Sequence, residues 1–169
     1  YEICHEALLL ERAFNPLLGW QDTFGCGLPG LKRLDFSSKK PAQLENLRAT
    51  IFDDLEIYLY PTGVSRSSTQ VLKTIKVPTD TGLLDLVDEM TDSIRRVDLV
   101  HFSKIMKDGW ERKKASSSMI LQNNKVRNID DELTASSSVL CHKLCGAGNG
   151  GFFLFFKHKN SNMKIPSSA

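Results

Sequence analysis

A glycine-rich segment near the end of the chain carries the first candidate chemistry. Residues 143–153 read KLCGAGNGGFF, and the loop consists of Gly146, Ala147, Gly148, Asn149, Gly150 and Gly151. Glycine accepts positive φ and leaves backbone N–H groups unshielded, so such a loop can surround a phosphate oxygen. No strand plainly precedes it and a strand follows it, so it matches neither a dinucleotide-binding turn nor a Walker loop. The sequence leaves two alternatives open, an anion-binding loop and a tight hairpin between core strands.

A single carboxylate stands in a second glycine-rich stretch, GWQDTFGCGLPG, residues 19–30. Asp22 follows Gln21 and lies two residues after Trp20. An Asp in such a connector most often caps a turn or a helix. The alternative is a general base that takes the proton of a bound hydroxyl, which requires a carboxylate on a firmly held backbone.

The third stretch is TGVSRSS, residues 62–68, which joins an apolar strand to the next helix. Thr62, Ser65 and Ser67 can cap that helix, whose N-terminal N–H groups favour an anion. Arg66 can clamp a phosphate or carboxylate through two hydrogen bonds, the alternative being an exposed arginine beside a simple cap. Lys113 and Lys114 are expected to lie on a solvated helix face.

Composition limits the partners that the chain can have. Its 169 residues carry a net charge of +2, and 41% of them are hydrophobic, which describes a globular domain. This charge predicts neither nucleic acid nor a membrane as a partner. The four cysteines are not paired in CxxC motifs, so reduced, buried thiols are favoured over a zinc site made by Cys141, His142, Cys145 and His158.

The hydrophobic pattern predicts an α+β fold with an antiparallel or mixed sheet. The first helix covers residues 1–14, with Ile3, Ala7, Leu10 and Phe14 on one apolar stripe. Cys4, Leu8 and Leu9 widen this face, so more than one side of the helix is expected to be covered. A long helix follows a cap at residues 78–80, with a core stripe of Leu83, Val87, Met90, Ile94 and Val97. The other predicted elements are a connector at 19–30, strands at 31–36, 55–61 and 152–156, a polar linker at 37–48, a helix from Ser65 or Ser67, a helix restarting at Asp98, a strand around 141–145, a weaker helix at 129–138 and a polar tail at 157–169.

Taken together, these stretches resemble the GHMP family of small-molecule kinases. The resemblance rests on ALLLER (7–12), GWQDTFGCGLPGLKRLDF (19–36), LYPTGVSRSSTQVL (59–72), GWERKK (109–114) and KLCGAGNGGFFLFF (143–156). It is greatest for the branch that phosphorylates sugars at the anomeric carbon, the heptose 7-phosphate kinases, with fucokinase-like enzymes nearby. It implies an end piece of the family's N-terminal domain at 1–48, a ferredoxin-like C-terminal domain at 49–158 and a polar tail at 159–169.

The resemblance also implies roles for individual residues. Asp22 matches the carboxylate that orients or deprotonates the attacking sugar hydroxyl, and the loop Gly146–Gly151 lines the phosphate side of the site. Gln21, Thr62, Gly63 and Arg66 fall on the substrate side. ATP and Mg²⁺ are the implied cofactors, and no metal ligand is assigned within this chain.

The family's main ATP-phosphate loop has no counterpart in the sequence, so we expect a portion of a kinase with little activity alone. The expected partners are a sugar or sugar phosphate, such as heptose 7-phosphate or a fucose-like sugar, and either a second copy or a missing N-terminal half. The expected location is the cytoplasm. The alternative is a non-catalytic interaction or ligand-binding module that presents the aromatic strand 152–156 and the basic residues 157–159 to a partner.

Overall fold

The computed structural model describes residues 1–37, 40–75 and 82–161. The chain divides into two compact units, Tyr1–Ala49 and Thr50–Ala169. The predicted cap at residues 78–80 and the part of the polar tail from residue 162 onward lie outside the described residues.

The first unit is built from two helices and a β-hairpin. Strands β1 and β2 pair antiparallel, with Leu34 opposite Leu44. Cys4 and Phe24 form its small core, and Leu28 and Leu34 pack against them. The elements of this unit are α1 (Glu2–Phe14), α2 (Gln21–Gly27), β1 (Lys32–Ser37) and β2 (Lys40–Asn46).

Two predictions for this unit are wrong. The connector at 19–30 contains the helix α2, because Thr23 and Phe24 bury one side of it and outweigh the low helix propensity of its two glycines. The polar linker at 37–48 contains β2, because pairing with β1 requires backbone groups rather than an apolar pattern.

Helix α1 forms where it was predicted, and only part of its predicted apolar face is buried. Cys4 and Leu8 are its buried residues. Ile3, Leu10 and Phe14, three members of the predicted stripe, are mostly exposed. The stripes overlap on a helix with many apolar residues, so spacing alone does not show which one is covered.

The second unit places helices against a three-stranded antiparallel sheet in the order β3-β5-β4. Strand β5 is central and pairs Phe155 with Tyr58 on one side and with His142 on the other. A ferredoxin-like sheet has four strands, of which the described residues form three. The elements are a 3₁₀ turn (Ala49–Phe52), β3 (Leu55–Pro61), α3 (Ser68–Leu72), α4 (Gly82–Arg96), α5 (Leu99–Ser116), α6 (Asn124–Ala135), β4 (Val139–Leu144) and β5 (Phe152–His158).

The main core lies on one face of this sheet, where α3, α5 and α6 contribute the helical side chains. Trp110 packs edge-on against Phe153, with ring centroids 6.3 Å apart. Both helices begin at side-chain caps, because the Asp98 carboxylate accepts from His101 N and the Asn123 carbonyl accepts from Lys125 N, each at 2.9 Å. The buried core residues are Tyr60, Val71, Trp110, Ile120, Val126, Ile129, Leu133, Leu144, Phe153 and Phe155.

Three predictions for this unit need correction. The stripe of α4 is not a continuous core, because Ile94 is buried while Leu83, Val87 and Val97 are more than 40% exposed. Helix α6 begins at Asn124 rather than 129, because Asn123 caps it. Strand β5 continues to His158, so Lys157 is not part of a frayed tail: it is buried and pairs with Glu56 at 2.7 Å.

The α+β class is confirmed. Phe153, Phe155 and Phe156, however, are buried within the unit itself. Most of the aromatic strand is therefore unavailable to a partner chain, which removes one of the two features on which the interaction-module alternative depended.

Candidate functional site

The glycine loop connects β4 to β5, with Leu144 paired opposite Phe153. Strand β4 is the strand predicted around residues 141–145, so the interpretation that no strand plainly precedes the loop was wrong. The hairpin alternative describes the loop's backbone correctly. A hairpin can still expose N–H groups, so anion binding depends on where the loop's own hydrogen bonds go.

Three hydrogen bonds fasten the far side of this loop. Asn149 N donates to Ile120 O at 2.7 Å, and the Asn149 side-chain oxygen accepts from Asn123 N at 2.8 Å. Gly151 N donates to Val64 O at 3.2 Å. The loop is thus tied both to the segment that precedes α6 and to the segment that follows β3.

Thr62 joins two of the stretches singled out in the sequence. Its backbone N and its hydroxyl both donate to Gly151 O at 2.9 Å, and the hydroxyl accepts from Val64 N at 3.2 Å. The side chain is fully buried. Thr62 therefore holds the 62–66 segment against the glycine loop, and its hydroxyl proton is already donated within the protein.

Two glycines permit contacts that no other residue would allow. A methyl group on Gly150, where φ is +149°, would lie 2.6 Å from Val64 O. A methyl group on Gly146, where φ is +71°, would lie 2.5 Å from Nη2 of Arg66. The guanidinium of Arg66 therefore lies directly against the bare backbone of the loop.

Arg66 occupies a position suited to an anion ligand. Its Nε is buried and finds no hydrogen-bond partner among the residues that the structure describes. A buried, unpaired donor costs about 1–3 kcal/mol, which an external acceptor would recover. A second cation is near, because Lys125 Nζ lies 3.2 Å from where a methyl group on Gly63 would be. A positive charge therefore lies at each end of this segment, that of Lys125 beside Gly63 and that of Arg66 itself.

Four backbone amides of the loop have no acceptor among the described residues. Within the described part of the chain, the backbone N–H groups of Gly146, Ala147, Gly148 and Gly150 have no hydrogen-bond partner. Three of them are consecutive, and the Gly146 and Gly148 backbones have positive φ. Consecutive N–H groups of this kind form anion-binding concavities.

A buried polar network that the sequence did not predict joins α5, α6 and β4. Asp130 of α6 accepts from Trp110 Nε1 at 2.7 Å, and its Oδ1 is 2.8 Å from Nε2 of His142 on β4. Burial opposes ionisation of Asp130, but the hydrogen bonds from His142 and Trp110 and the charge of Lys114 hold its pKa below the usual value. An ionised carboxylate only accepts, so His142 donates from Nε2. The signal was available: Asp130 falls on the apolar stripe of Val126 and Leu133.

Lys113 and Lys114 do not lie on a solvated face, as the sequence had suggested. Lys113 Nζ donates to Leu144 O at 2.9 Å and to Gly146 O at 2.5 Å. Lys114 Nζ pairs with Glu111 at 2.6 Å and with Asp130 at 3.4 Å. Burial disfavours the charge of Lys114, but these two carboxylates outweigh it and raise its pKa. Neighbouring lysines therefore support the loop and the network separately.

Asp22 and Gln21 belong to the other unit. They are the first two residues of α2, both exposed. An acidic side chain in the first turn is favoured by the helix dipole, so the location of Asp22 has a structural reason of its own. Within the second unit the structure brings together Thr62, Gly63, Arg66 and Gly146–Gly151, and Gln21 and Asp22 are neighbours within the first.

The cysteines and histidines have no metal-site geometry. Across residues 1–37, 40–75 and 82–161, no three His, Cys, Asp or Glu side chains are grouped to hold a metal ion. His142 is committed to Asp130, and burial raises the pKa of Cys141 to about 12, which keeps it a thiol. No helix in the same residues has the length and apolar character that crossing a membrane requires.

Comparisons with known proteins relate the chain to sugar kinases. No protein-family model matches it. L-fucokinase/L-fucose-1-P guanylyltransferase of Bacteroides fragilis is 30% identical to it, in an alignment that covers 89% of this chain and 17% of the relative. The crystal structure of a D-glycero-D-manno-heptose 1-phosphate kinase from Bacteroides thetaiotaomicron matches 92% of this chain with a TM-score of 0.57 and 20% identity.

The chain spans less than half of either protein, 17% of the first and 44% of the second. The structural match establishes the fold, and the sequence match extends over most of the chain. This chain is therefore similar in sequence to part of a protein named for L-fucokinase activity, and it shares the α+β fold of part of a heptose phosphate kinase.

Proposed function

We propose that this chain carries the phosphate-binding part of an ATP-dependent phosphotransferase that acts on a hydroxyl of a sugar or sugar phosphate. The observation that carries the proposal is the loop Gly146–Gly151, whose near-side N–H groups are free and against which Arg66 lies with a buried, unpaired Nε. Free amides and a guanidinium are the donors that phosphate oxygens prefer.

The residues fit a polyphosphate better than a lone carboxylate. The N–H groups of Gly146, Ala147 and Gly148 would donate to the oxygens of one phosphate, and Arg66 to those of the same or the next one. Lys125 would add positive charge on the Gly63 side. ATP would supply the transferable phosphoryl group, and donors fixed in advance stabilise the charge that develops during its transfer.

The sugar side of the proposal rests on the resemblance and on the named activities of the two related proteins. Asp22 would accept the proton of the attacking hydroxyl, and Gln21 and Gly63 would contact the sugar. Thr62 would act through the loop, since its hydroxyl is already bonded to Gly151 O and Val64 N. A heptose phosphate and a fucose-like sugar are the two substrate classes to test, and the cytoplasmic location stays a prediction.

Magnesium would accompany ATP in this proposal. Mg²⁺ is commonly held by the substrate's own phosphates together with one or two carboxylates. We assign no carboxylate of this chain to it. The metal would share the phosphate charge with Arg66 and the loop amides.

Anion binding tests the first half of the proposal. Isothermal titration with sodium tripolyphosphate and with ATP should show binding that Arg66→Met weakens about tenfold or more, since a lost charged donor costs roughly 1.5–3 kcal/mol. Arg48→Met is the matched control, because Arg48 is exposed and lies in the other unit. Equal affinities of the two variants would contradict the assignment of Arg66.

Phosphotransfer tests the second half, in a longer protein that joins this chain to the family's ATP-phosphate loop, because little activity is expected of this chain alone. ADP release should depend on a sugar acceptor, drawn from heptose 7-phosphate, other sugar phosphates and fucose, and Asp22→Asn should abolish that dependence. An unchanged rate in Asp22→Asn would remove Asp22 from the mechanism. Binding of ATP without any transfer would favour the alternative, a ligand-binding module.

A further inference from the structure

Lys113 of α5 contacts the glycine loop through two hydrogen bonds. Its Nζ donates to Leu144 O at 2.9 Å and to Gly146 O at 2.5 Å. The ammonium also lies 5.7 Å from the ring centre of Trp110, which is itself buried and bonded to Asp130. One side chain therefore bridges the end of β4 and the first residue of the loop.

These two contacts fix the direction of the N–H groups that follow. In a trans peptide the C=O and the next N–H point in opposite directions, and no peptide of the described residues is cis. Leu144 O faces Lys113, so Cys145 N–H points away from it and donates to Phe152 O at 2.9 Å. By the same rule Gly146 O faces Lys113, and the N–H of Ala147 points to the opposite side.

The second of these peptides lies between Gly146, which Arg66 contacts, and Ala147, which packs against the main core. Gly146 has a φ of +71° and no side chain, so the peptide between Gly146 and Ala147 can rotate at small steric cost. A rotation would exchange the Ala147 N–H for the Gly146 carbonyl oxygen. The near side of the loop would then present an acceptor to an anion in place of a donor.

We propose that Lys113 is a positioning residue for the phosphate site: its ammonium holds the Gly146–Ala147 peptide so that the Ala147 N–H faces the anion. The identity of the anion as a polyphosphate rests on the proposed function, whereas the holding of the peptide does not. Lys113 acts through the loop and neutralises the partial negative charge of two carbonyl groups.

The test uses the whole chain, free and bound to sodium tripolyphosphate, with the backbone amides followed by NMR. Lys113→Met should increase the fast motion of the Gly146 and Ala147 amides in the free protein and lower the affinity for tripolyphosphate about tenfold. Lys113→Arg, which retains a cationic donor, should keep most of the loop order and affinity. Lys104→Met, an exposed lysine on the same helix, should change neither.

The two readouts separate the two proposals. If the wild type binds no tripolyphosphate, the proposed function fails, and the order of the Ala147 amide still decides the role of Lys113. If Lys113→Met and Lys104→Met show the same Ala147 order, the positioning role is overturned. Should Lys113→Met fail to fold, Lys113→Gln replaces it under the same criteria.

Discussion

Two stretches of this chain each contain four glycines, and the structure uses them in different ways. Residues 19–30 fold largely into α2, where Gly25 has no other atoms near the place of a side chain. In residues 145–151 the glycine backbones touch Arg66 and Val64 and adopt positive φ. Glycine content therefore does not identify a binding loop. What identifies it is the atoms that the bare backbone touches.

The largest loss of stability is expected for a substitution at Gly150. Gly150→Ala forces a side chain into a φ of +149° and places its methyl group 2.6 Å from the carbonyl oxygen of Val64, which cannot move alone. Backbone strain and overpacking together should lower the free energy of unfolding by about 3 kcal/mol. Urea unfolding followed by Trp110 fluorescence, in a Trp20→Phe background, measures this in the second unit.

A loss below about 1 kcal/mol in Gly150→Ala would contradict this difference, because position 150 would then tolerate a side chain as position 25 is expected to do. The fluorescence design depends on the chain having two tryptophans, Trp20 in the first unit and Trp110 in the second.

The next largest effect is expected in the buried network around Asp130, which lies in the same unit as the second stretch. Asp130→Asn removes the charge that pairs with His142 and Lys114 while keeping the shape of the side chain. The free energy of unfolding at pH 7 should fall by about 2 kcal/mol. Asp131→Asn is the matched control, since Asp131 is exposed on the same helix, and it should change stability little.

The same variant predicts a pH dependence. The pKa of Asp130 is held below its ordinary value, so its contribution is complete above about pH 5 and is lost as the pH falls through the folded-state pKa. The wild type should therefore lose more stability than Asp130→Asn between pH 5 and the acid limit of folding. Parallel pH profiles would show that Asp130 contributes no such term.

A smaller effect is expected at Gly146, where the neighbour is a flexible side chain. Gly146→Ala requires a positive φ and displaces Nη2 of Arg66, which can move. The stability loss should be about 1 kcal/mol, while the affinity for tripolyphosphate falls through the displaced guanidinium. Urea unfolding and isothermal titration of the same preparation compare the two. Unchanged affinity would mean that Arg66 does not need its present position.

The smallest effect, and one of opposite sign, is expected in the first stretch. Gly25→Ala replaces a helical glycine that has free space around it, so it should stabilise the first unit by about 0.8 kcal/mol. Trp20 fluorescence in a Trp110→Phe background reports it. A clear destabilisation would show that Gly25 has a neighbour or a role that the present geometry does not contain.

The sequence predicted the elements whose pattern matches their burial. Strand β3 lies at residues 55–61 as expected, and Asp98 caps α5, because an apolar run between polar bounds and an Asp before a helical stripe are local signals. Strand β2 and helix α2 could not be found in this way, because each depends on a partner elsewhere in its unit. The exposed residues Leu83 and Val87 show the same limit, since a stripe does not reveal what covers it.

The candidate site was predicted as a set of stretches and not as a set of contacts. Thr62, Arg66 and the loop Gly146–Gly151 were singled out by residue type, and the structure adds that they touch. Lys113 was taken for a surface residue because its partners are backbone carbonyls, which no sequence pattern records. Whether Asp22 acts as the base stays a prediction.

The order of the strands in the second unit has a consequence for folding. Strands β3 and β4 each pair with β5 and not with each other, and β5 comes last of the three along the chain. No part of this sheet can form until residues 152–158 have left the ribosome. The Thr62–Gly151 contact joins residues 89 positions apart, so the entropy cost of closing this loop arises late in folding. Few local contacts can compensate for it earlier. The nascent chain would thus expose β3 and the faces of α5 and α6 until its final strand inserts, which makes this interval the one in which chaperone binding would matter most.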